Sequence, residues 1–520
     1  MSDVTTIHDR RRWAGLVFIS IAVALIIVDS TIVNVAIPSI VDDLDISSTQ
    51  VQWVQESYTL VFAALLLVFG ALADRYGRRR MLVLGVIVFG AASVLAALAP
   101  TGDLLIGSRV LQGVGGAMVL PTTLSLINAT FRGRERAIAF AIWGSTIGGM
   151  VAVGPLLGGW LTTYFSWRWA FGINIPFAVI IVIGVLVFVA PSKDPTATGR
   201  VDIVGAALSV VTSATLVFGL IEGRTYGWWW TEKGVDWPLD LSPVPIAFAI
   251  TVVAGILFVL WGRLRQRRGH STLLAFDLFR IASFRNGNIA AMIVSLGEFG
   301  IILSLPLWLQ NVLGYDALQT GFILLALAIG SFVASGFAGA FGSRIAPVVI
   351  VRVGIVAEIV GVAGLGFVIS ASASWGSVVP FLFVYGFGVG LATAQLTGVV
   401  LMDVPVDKSG QGSGTQSTAR QIGSALGIAI LGTVLFTSAG SALDARLVDL
   451  PEAQRTQIVD TVVDSAGAAI PALTKQNADV GADAKIAFSE ATRYSAFAAA
   501  GFLVLGLIAT LRLGRSRRED

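Results

Sequence analysis

The stretch Gly70-Ala71-Leu72-Ala73-Asp74-Arg75-Tyr76-Gly77-Arg78-Arg79-Arg80 separates two long apolar segments, residues 51–73 and 81–99, and its reading decides the fold. Each flank is long enough to cross about 30 Å of hydrocarbon as a helix, so the motif is a tight turn between two antiparallel membrane helices. Gly77 supplies backbone freedom in that turn, and Asp74 can pair with Arg75, Arg78 or a neighbouring helix end. Anchoring to one membrane face explains the arginines. It does not explain Asp74 or the glycine spacing, and a gating role is expected for Gly70, Asp74, Arg75, Gly77 and Arg78.

Outward from this turn the same pattern recurs. About fourteen apolar stretches reach spanning length. They run over residues 14–36, 51–73, 81–99, 104–126, 137–161, 169–189, 201–221, 245–261, 288–309, 320–341, 348–369, 378–400, 413–436 and 494–511. The 520 residues are 55% hydrophobic and 13% charged, with a mean hydropathy of +0.82, against about 25% charged in a soluble domain. An ordinary soluble enzyme is excluded. The 58 glycines lie largely in apolar runs, where helices in lipid pack closely or bend. With no cysteine, disulfides and thiolate metal sites are excluded, and His8 and His270 fall in polar segments, so no metal and no cofactor is expected.

The basic clusters 10–12, 75–80, 132–136, 263–268 and 512–518 fall on one side if the N-terminus is cytoplasmic, which puts about 25 Lys and Arg inside and about 8 outside. A single span more or fewer would destroy that asymmetry. Both termini are therefore expected in the cytoplasm, in a multi-pass protein of the inner (plasma) membrane. The first stretch follows Arg10–Arg12 as a signal peptide would, but it exceeds a typical h-region and no A-x-A site follows it, so it is kept as a helix. Asp42, Asp43 and Asp45 fall outside, as does the run Trp228 to Trp230, read as an interfacial belt. The long polar segment 437–493 is expected as an outer loop with a surface helix within 450–470, either capping the outer mouth or inert. The net charge of +3 follows from this sorting, and nucleic acid is not expected as a partner. The pair Gly70, Arg75 has an echo in Gly339, Arg344, and Gly113, Gly115 has one in Gly388, Gly390. Two parallel halves are expected, residues 1–190 and 271–520, with residues 191–270 as an inserted helix pair.

The turn motif closely resembles the G-x-L-a-D-r-x-G-r-k-x signature of the major facilitator superfamily. Leu105-x3-Arg109-x2-Gln112-Gly113-x-Gly115 resembles its second signature, and Gly154-Pro155-Leu156-Leu157-Gly158-Gly159 resembles the core of its antiporter signature, with Met150 and Ala141 where the family often has glycine. Pro155 bends the helix and the glycines admit a close neighbour. The segments Asp29-Ser30-Thr31-Ile32-Val33-Asn34-Val35-Ala36-Ile37-Pro38 and Trp167-Arg168-Trp169-x-Phe171-x-Ile173-Asn174-x-Pro176 resemble signatures of the fourteen-span drug:H+ antiporter family. The resemblance implies an all-α membrane protein with the major facilitator fold, 14 transmembrane helices in two six-helix halves plus an inserted pair. It also implies a part for Arg109 in proton coupling. Without the resemblance, Arg109 is equally well read as a structural arginine bonded to helix carbonyls. In either case an arginine inside a span costs about 2.5–3.5 kcal/mol on insertion scales and needs a partner.

Carboxylates in apolar spans bind and release protons when desolvated. Asp29 lies in the outer half of its span, and Glu56, within Gln52-Trp53-Val54-Gln55-Glu56-Ser57-Tyr58, lies at a similar depth. Quaternary ammonium exporters of the family carry an acid at the position of Glu56. Glu298 lies mid-span in a helix that lines the cavity by resemblance, flanked by Phe299 and followed by Trp308, an arrangement suited to a lipophilic cation. Glu358 lies in a span peripheral by resemblance and is read as structural, while Glu222 and Asp403 lie near span ends and can reach water. Proton coupling is expected at Asp29, Arg109, Glu56 and Glu298, and substrate contact at Glu56, Glu298, Phe299, Trp53, Tyr58 and Asn34. The expected protein is not an enzyme. It is a monomeric secondary transporter that exchanges small lipophilic cations for protons across the bilayer, with an exporter of one native metabolite, amino acid or lipid as the alternative. A receptor or scaffold has no use for Arg109 and several buried acids. A membrane enzyme would need a nucleophile, metal set or cofactor motif that the sequence lacks.

Overall fold

A computed structural model describes residues 2–46, 48–194, 201–232, 237–341, 345–511 and 513. Among the described residues the regular structure is helical apart from one isolated bridge between Trp230 and Leu241. The helices are α1 (Ser2–Leu44), α2 (Ser48–Tyr76), α3 (Arg78–Ala97), α4 (Gly102–Thr130), α5 (Gly133–Tyr164), α6 (Arg168–Gly172), α7 (Asn174–Phe188), α8 (Ile203–Tyr226), α9 (Pro243–Arg267), α10 (Ala282–Asn311), α11 (Ala317–Phe341), α12 (Pro347–Val368), α13 (Trp375–Leu401), α14 (Ser409–Arg446), α15 (Glu452–Asp464), α16 (Ile470–Gln476) and α17 (Ala478–Thr510).

The bundle is inside-out relative to a soluble one. Ile180, Ile183 and Leu186 on α7, and Val252, Val253, Ile256 and Leu260 on α9, are exposed, whereas Asp29, Arg109, Gln112, Glu298 and Glu358 are buried. A continuous apolar outside is costly in water and favourable in lipid, so the chain is a multi-pass membrane protein. Among the described residues twelve helices are long and apolar enough to cross a bilayer, thirteen with the bent α5 counted once, and α11, of 25 residues, carries a further described apolar run, Leu318–Ala334.

Glycine sets the closeness of the packing. A Cβ on Gly115 of α4 would lie 2.7 Å from the Phe89 nitrogen of α3, and one on Gly113 would lie 2.8 Å from the Tyr58 carbonyl of α2. In α13 a Cβ on Gly388 would meet α12 at the Glu358 nitrogen, 2.5 Å away, and one on Gly390 would meet α11 at the Ser331 carbonyl, 2.6 Å away. The echo in sequence is thus an echo in packing, but with the partner order exchanged. Arg344, from the other echo, lies outside the described residues, as does most of the basic cluster 512–518.

The stretch 169–189 forms one span, Arg168–Phe188, in which α6 and α7 meet at Ile173 with helical backbone. One sequence expectation is corrected. The segment 437–493 is not mainly loop. α14 continues through Arg446, α17 begins at Ala478, and α15 and α16 lie between them. Alanine-rich helix propagates beyond the hydrocarbon, where ion pairs stabilise it: Arg446 meets Glu490 at 2.8 Å and Asp483 at 3.8 Å, and Arg455 meets Asp444 at 2.8 Å. At the same end of the bundle Arg168 and the Trp167 indole both donate to Asp43, at 2.5 Å and 3.0 Å, tying the entry of α6 to the end of α1. Those donors hold the Asp43 carboxyl below the usual carboxylate range.

The charge sorting predicts opposite sides for Arg134, at the start of α5, and Lys475, on α16. Both are exposed. In this cysteine-free chain, Lys475→Cys is expected to react with an impermeant maleimide on intact cells and Arg134→Cys only after permeabilisation. The reverse pattern overturns the orientation.

Candidate functional site

Arg109 is answered by Asp29. Positions 109 and 112 are one helical turn apart on α4, and both side chains point into the first half of the bundle. Arg109 Nη1 donates to Asp29 Oδ2 at 2.6 Å and to Gln112 Oε1 at 2.8 Å, and its Nε donates to the Val54 carbonyl at 3.1 Å. Gln112 Nε2 and Asn174 Nδ2 donate to Asp29 Oδ1 at 2.9 Å and 2.6 Å, and both also reach Ser93. The guanidinium lies 4.3 Å from the Tyr58 ring centre. Every member is buried. Five spans therefore close on one charge pair, with Asn174 contributed by the first turn of α7.

Glu56 and Asp29 share a depth but not a site. Glu56 faces α8, where Gln52 Nε2 donates to Glu56 Oε1 at 3.3 Å, to Glu222 Oε2 at 2.8 Å and to Thr225 at 2.9 Å. Glu222 is buried and does not reach water as expected from its position. Trp53 is half-buried, and Tyr58 is buried against Arg109 and Phe62, so Tyr58 packs the charge pair instead of lining a cavity. The side chain of Asn34 lies outside the described residues.

On α10, Glu298 Oε1 accepts from Thr393 at 2.9 Å and Oε2 lies 3.8 Å from Arg420 Nη2. A cavity of about 10 Å³ beside them, lined also by Ser295, Thr397 and Gln416, has room for one water. Phe299 is half-buried, but Trp308 is fully buried and donates to Ser489, so it belongs to the core and not to a cation site.

The turn motif bridges α2 and α14. Asp74 accepts from Arg78 Nη2 at 2.6 Å and from the backbone nitrogens of Gly410 and Gln411, at 2.7 Å and 2.9 Å, at the first turn of α14, where the helix dipole favours an anion. Arg78 also reaches the Val406 carbonyl at 2.5 Å, and Arg75 lies over Tyr76. Gly77 has φ +107°, so its freedom is used. Gly70 has no room for a Cβ, which would lie 2.5 Å from the Gly410 carbonyl. Asn128–Ser409 at 2.9 Å and Arg136 to the Met402 carbonyl at 3.2 Å close the same end. In α5 the 41° bend falls between Val151 and Val153, where Pro155 removes the amide that would reach the Val151 carbonyl. Gly154 and Gly158 then pack on α1 at Thr31 and Ile32, beside Asp29, and Gly159 is buried.

A multi-pass helical bundle with buried charge pairs, joined at one end through Asp74, fits a membrane transporter of small molecules. The chain belongs to the major facilitator superfamily, whose family profile matches residues 19–428, and within it to the drug efflux family. It is similar to the multidrug efflux pump LfrA of Mycolicibacterium smegmatis, with 32% identity over 88% of this chain and 92% of that one. It is similar as well to the puromycin resistance protein pur8 of Streptomyces alboniger, 33% over 82% of each, and to the multidrug resistance protein Stp of Mycobacterium tuberculosis, 30% over 97% and 92%. The human organic anion transporter MFSD10 shares the fold, with a TM-score of 0.62 at 12% identity over 96% of this chain and 99% of that one.

Sequence reasoning missed Arg420, although it sits in the apolar stretch 413–436 and the rule applied to Arg109 would have found it. It also missed the bond from Asn174 to Asp29, which no spacing reveals.

Two outcomes follow from this geometry. Asp29→Asn or Arg109→Gln alone strands a buried charge and is expected to cost about 3–5 kcal/mol of stability, most of it recovered in the double variant. Thermal unfolding in detergent checks this, and a double variant no more stable than the worse single one contradicts it. Asp74→Asn removes a charged acceptor worth about 1.5–3 kcal/mol, so a cysteine at buried Ser413 is expected to react with maleimide at least about tenfold faster in that background. Equal rates would mean that Asp74 does not hold this end shut.

Proposed function

We propose that the chain is a proton-coupled secondary transporter that exports drug-like, mostly lipophilic cationic compounds by alternating access. The observation that carries this reading is Glu298, a buried acid held by one threonine and a guanidinium 3.8 Å away, with a water-sized cavity beside it. Asp29 has its full complement of donors. Glu298 has a loose one, which a proton or a substrate cation can replace. A drug-sized ligand needs about 300–1,000 Å³, so the halves must part at Glu298 to admit one. The latch around Asp74 lies at the end that the basic clusters assign to the cytoplasm. Its release would open the site inward for loading, and protonation of Glu298 after outward opening would release the compound. The drug and antibiotic names of the relatives support export.

The same reading gives fourteen crossings with both termini cytoplasmic in the inner membrane, a monomer, and two halves, 1–190 and 271–520, around the inserted pair in 191–270. Asp29 with Arg109 would serve as the proton-coupling pair of the first half, and Glu56, Glu298, Phe299 and Trp53 would meet the substrate. A monovalent cation exchanged for one proton moves no net charge and draws about 1.4 kcal/mol per pH unit. A second proton would recruit about 2.3 kcal/mol per 100 mV of membrane potential.

The test is transport in proteoliposomes carrying an imposed pH gradient, with cationic, zwitterionic and anionic compounds. Uptake of cations with matching proton efflux is expected, reduced at least about tenfold in Glu298→Gln. If only neutral and anionic compounds move, or if Glu298→Gln moves cations at the unmodified rate, the cation mechanism fails and a metabolite exporter takes its place.

A further inference from the structure

The mechanism above leaves Glu358 without a task. It lies on α12 at 0% exposure, and neither of its carboxylate oxygens meets a hydrogen-bond donor among the described residues. A structural acid at this depth would be satisfied, as Asp29 is, because a buried carboxylate without donors is expensive. Its Cγ runs past bare backbone, since a Cβ on Gly388 of α13 would lie 2.7 Å from it. Across that gap the charged groups within electrostatic reach are Glu298 on α10 and Arg420 on α14. Tyr385 on α13 is also near, but its hydroxyl donates to the Glu298 carbonyl at 3.0 Å. On α17, the other helix packed against α12, Arg493 donates to the Gly366 carbonyl and Glu490 pairs with Arg446. Arg352, on α12 itself, donates to the carbonyls of Thr510 and Leu513. None of these is available to Glu358.

The cluster thus holds two carboxylates and one guanidinium, and it lacks one proton for neutrality. Glu298 faces Arg420 and accepts from Thr393, so it is the ionised member. We propose that Glu358 is a second proton-binding residue, which holds a proton and exchanges it with Glu298 under the field of Arg420. In the exchange an O–H bond breaks at Glu358 and one forms at Glu298, and the triad stays neutral in either arrangement. A further proton on the remaining carboxylate gives the triad a net positive charge. The second half of the bundle can therefore carry one proton beyond the one that a cation displaces. The role in transport rests on the proton-coupled reading given above; the shared proton does not.

The shared proton is read directly by infrared spectroscopy of the purified full-length chain at neutral pH, through the carbonyl stretch of protonated carboxyl groups. Glu358→Gln is expected to lose one carboxyl band relative to the unmodified protein. Glu298→Gln is expected to lose it too, because Glu358 then ionises to balance Arg420. A merely structural, permanently protonated Glu358 would keep its band in Glu298→Gln, and that result overturns the proposal, as does loss of a carboxylate band in place of a carboxyl band in Glu358→Gln. The Glu298→Gln arm stands even if Glu358→Gln does not fold. In proteoliposomes with tetraphenylphosphonium as the probe, the unmodified protein should respond to a membrane potential at zero pH gradient and Glu358→Gln should not. If the bands behave as expected and no proton moves with the probe, the transport reading falls and the shared proton remains. Equal response to potential in both proteins removes Glu358 from the coupled cycle.

Discussion

Charge buried in an apolar bundle must be matched within hydrogen-bonding distance, and the contact between Arg109 and Asp29 is where this constraint is met most fully. Satisfying Arg109 fixes the rotation of α4 against α1, and satisfying Asp29 draws in Gln112, Ser93 and Asn174. The place of α7 follows, since its first residue, Asn174, donates to Asp29. So does the close approach of α5 to α1, where Gly154 and Gly158 leave room beside the pair. The helices that meet at this pair are organised around a neutralised charge.

The charged residues of α10, α12 and α14 answer the same constraint incompletely. Glu298, Glu358 and Arg420 carry one more negative charge than positive when both acids are ionised, and Glu358 lacks donors among the described residues. A site that is complete only with a proton is a site whose occupancy follows pH. Bare glycine backbone at Gly70, Gly410 and Gly414 lets α2 and α14 touch, and Asp74 caps α14 across that contact.

Most of the architecture was legible in the sequence because a span declares itself by length and apolarity, and the turn motif carries its own geometry in Asp74 and Gly77. What the sequence concealed depended on tertiary contact. Glu222 looks peripheral by position but is buried, because α8 lies against α2 and Gln52 bridges its carboxylate to Glu56. Tyr58 and Trp308 look like cavity aromatics by spacing, and the structure commits them to Arg109 and Ser489. The helical continuation through 437–493 is invisible to hydropathy, which reports the bilayer and not the helix.

The central claim is that cation and proton compete for the same buried carboxylates. Its most direct measure is the number of protons released when tetraphenylphosphonium binds the purified protein, obtained by calorimetry in two buffers of different ionisation enthalpy. The account predicts proton release on binding, which is lost in Glu298→Gln while some affinity remains. Binding of the same cation with no proton released at any pH between weakly acidic and weakly alkaline would contradict it.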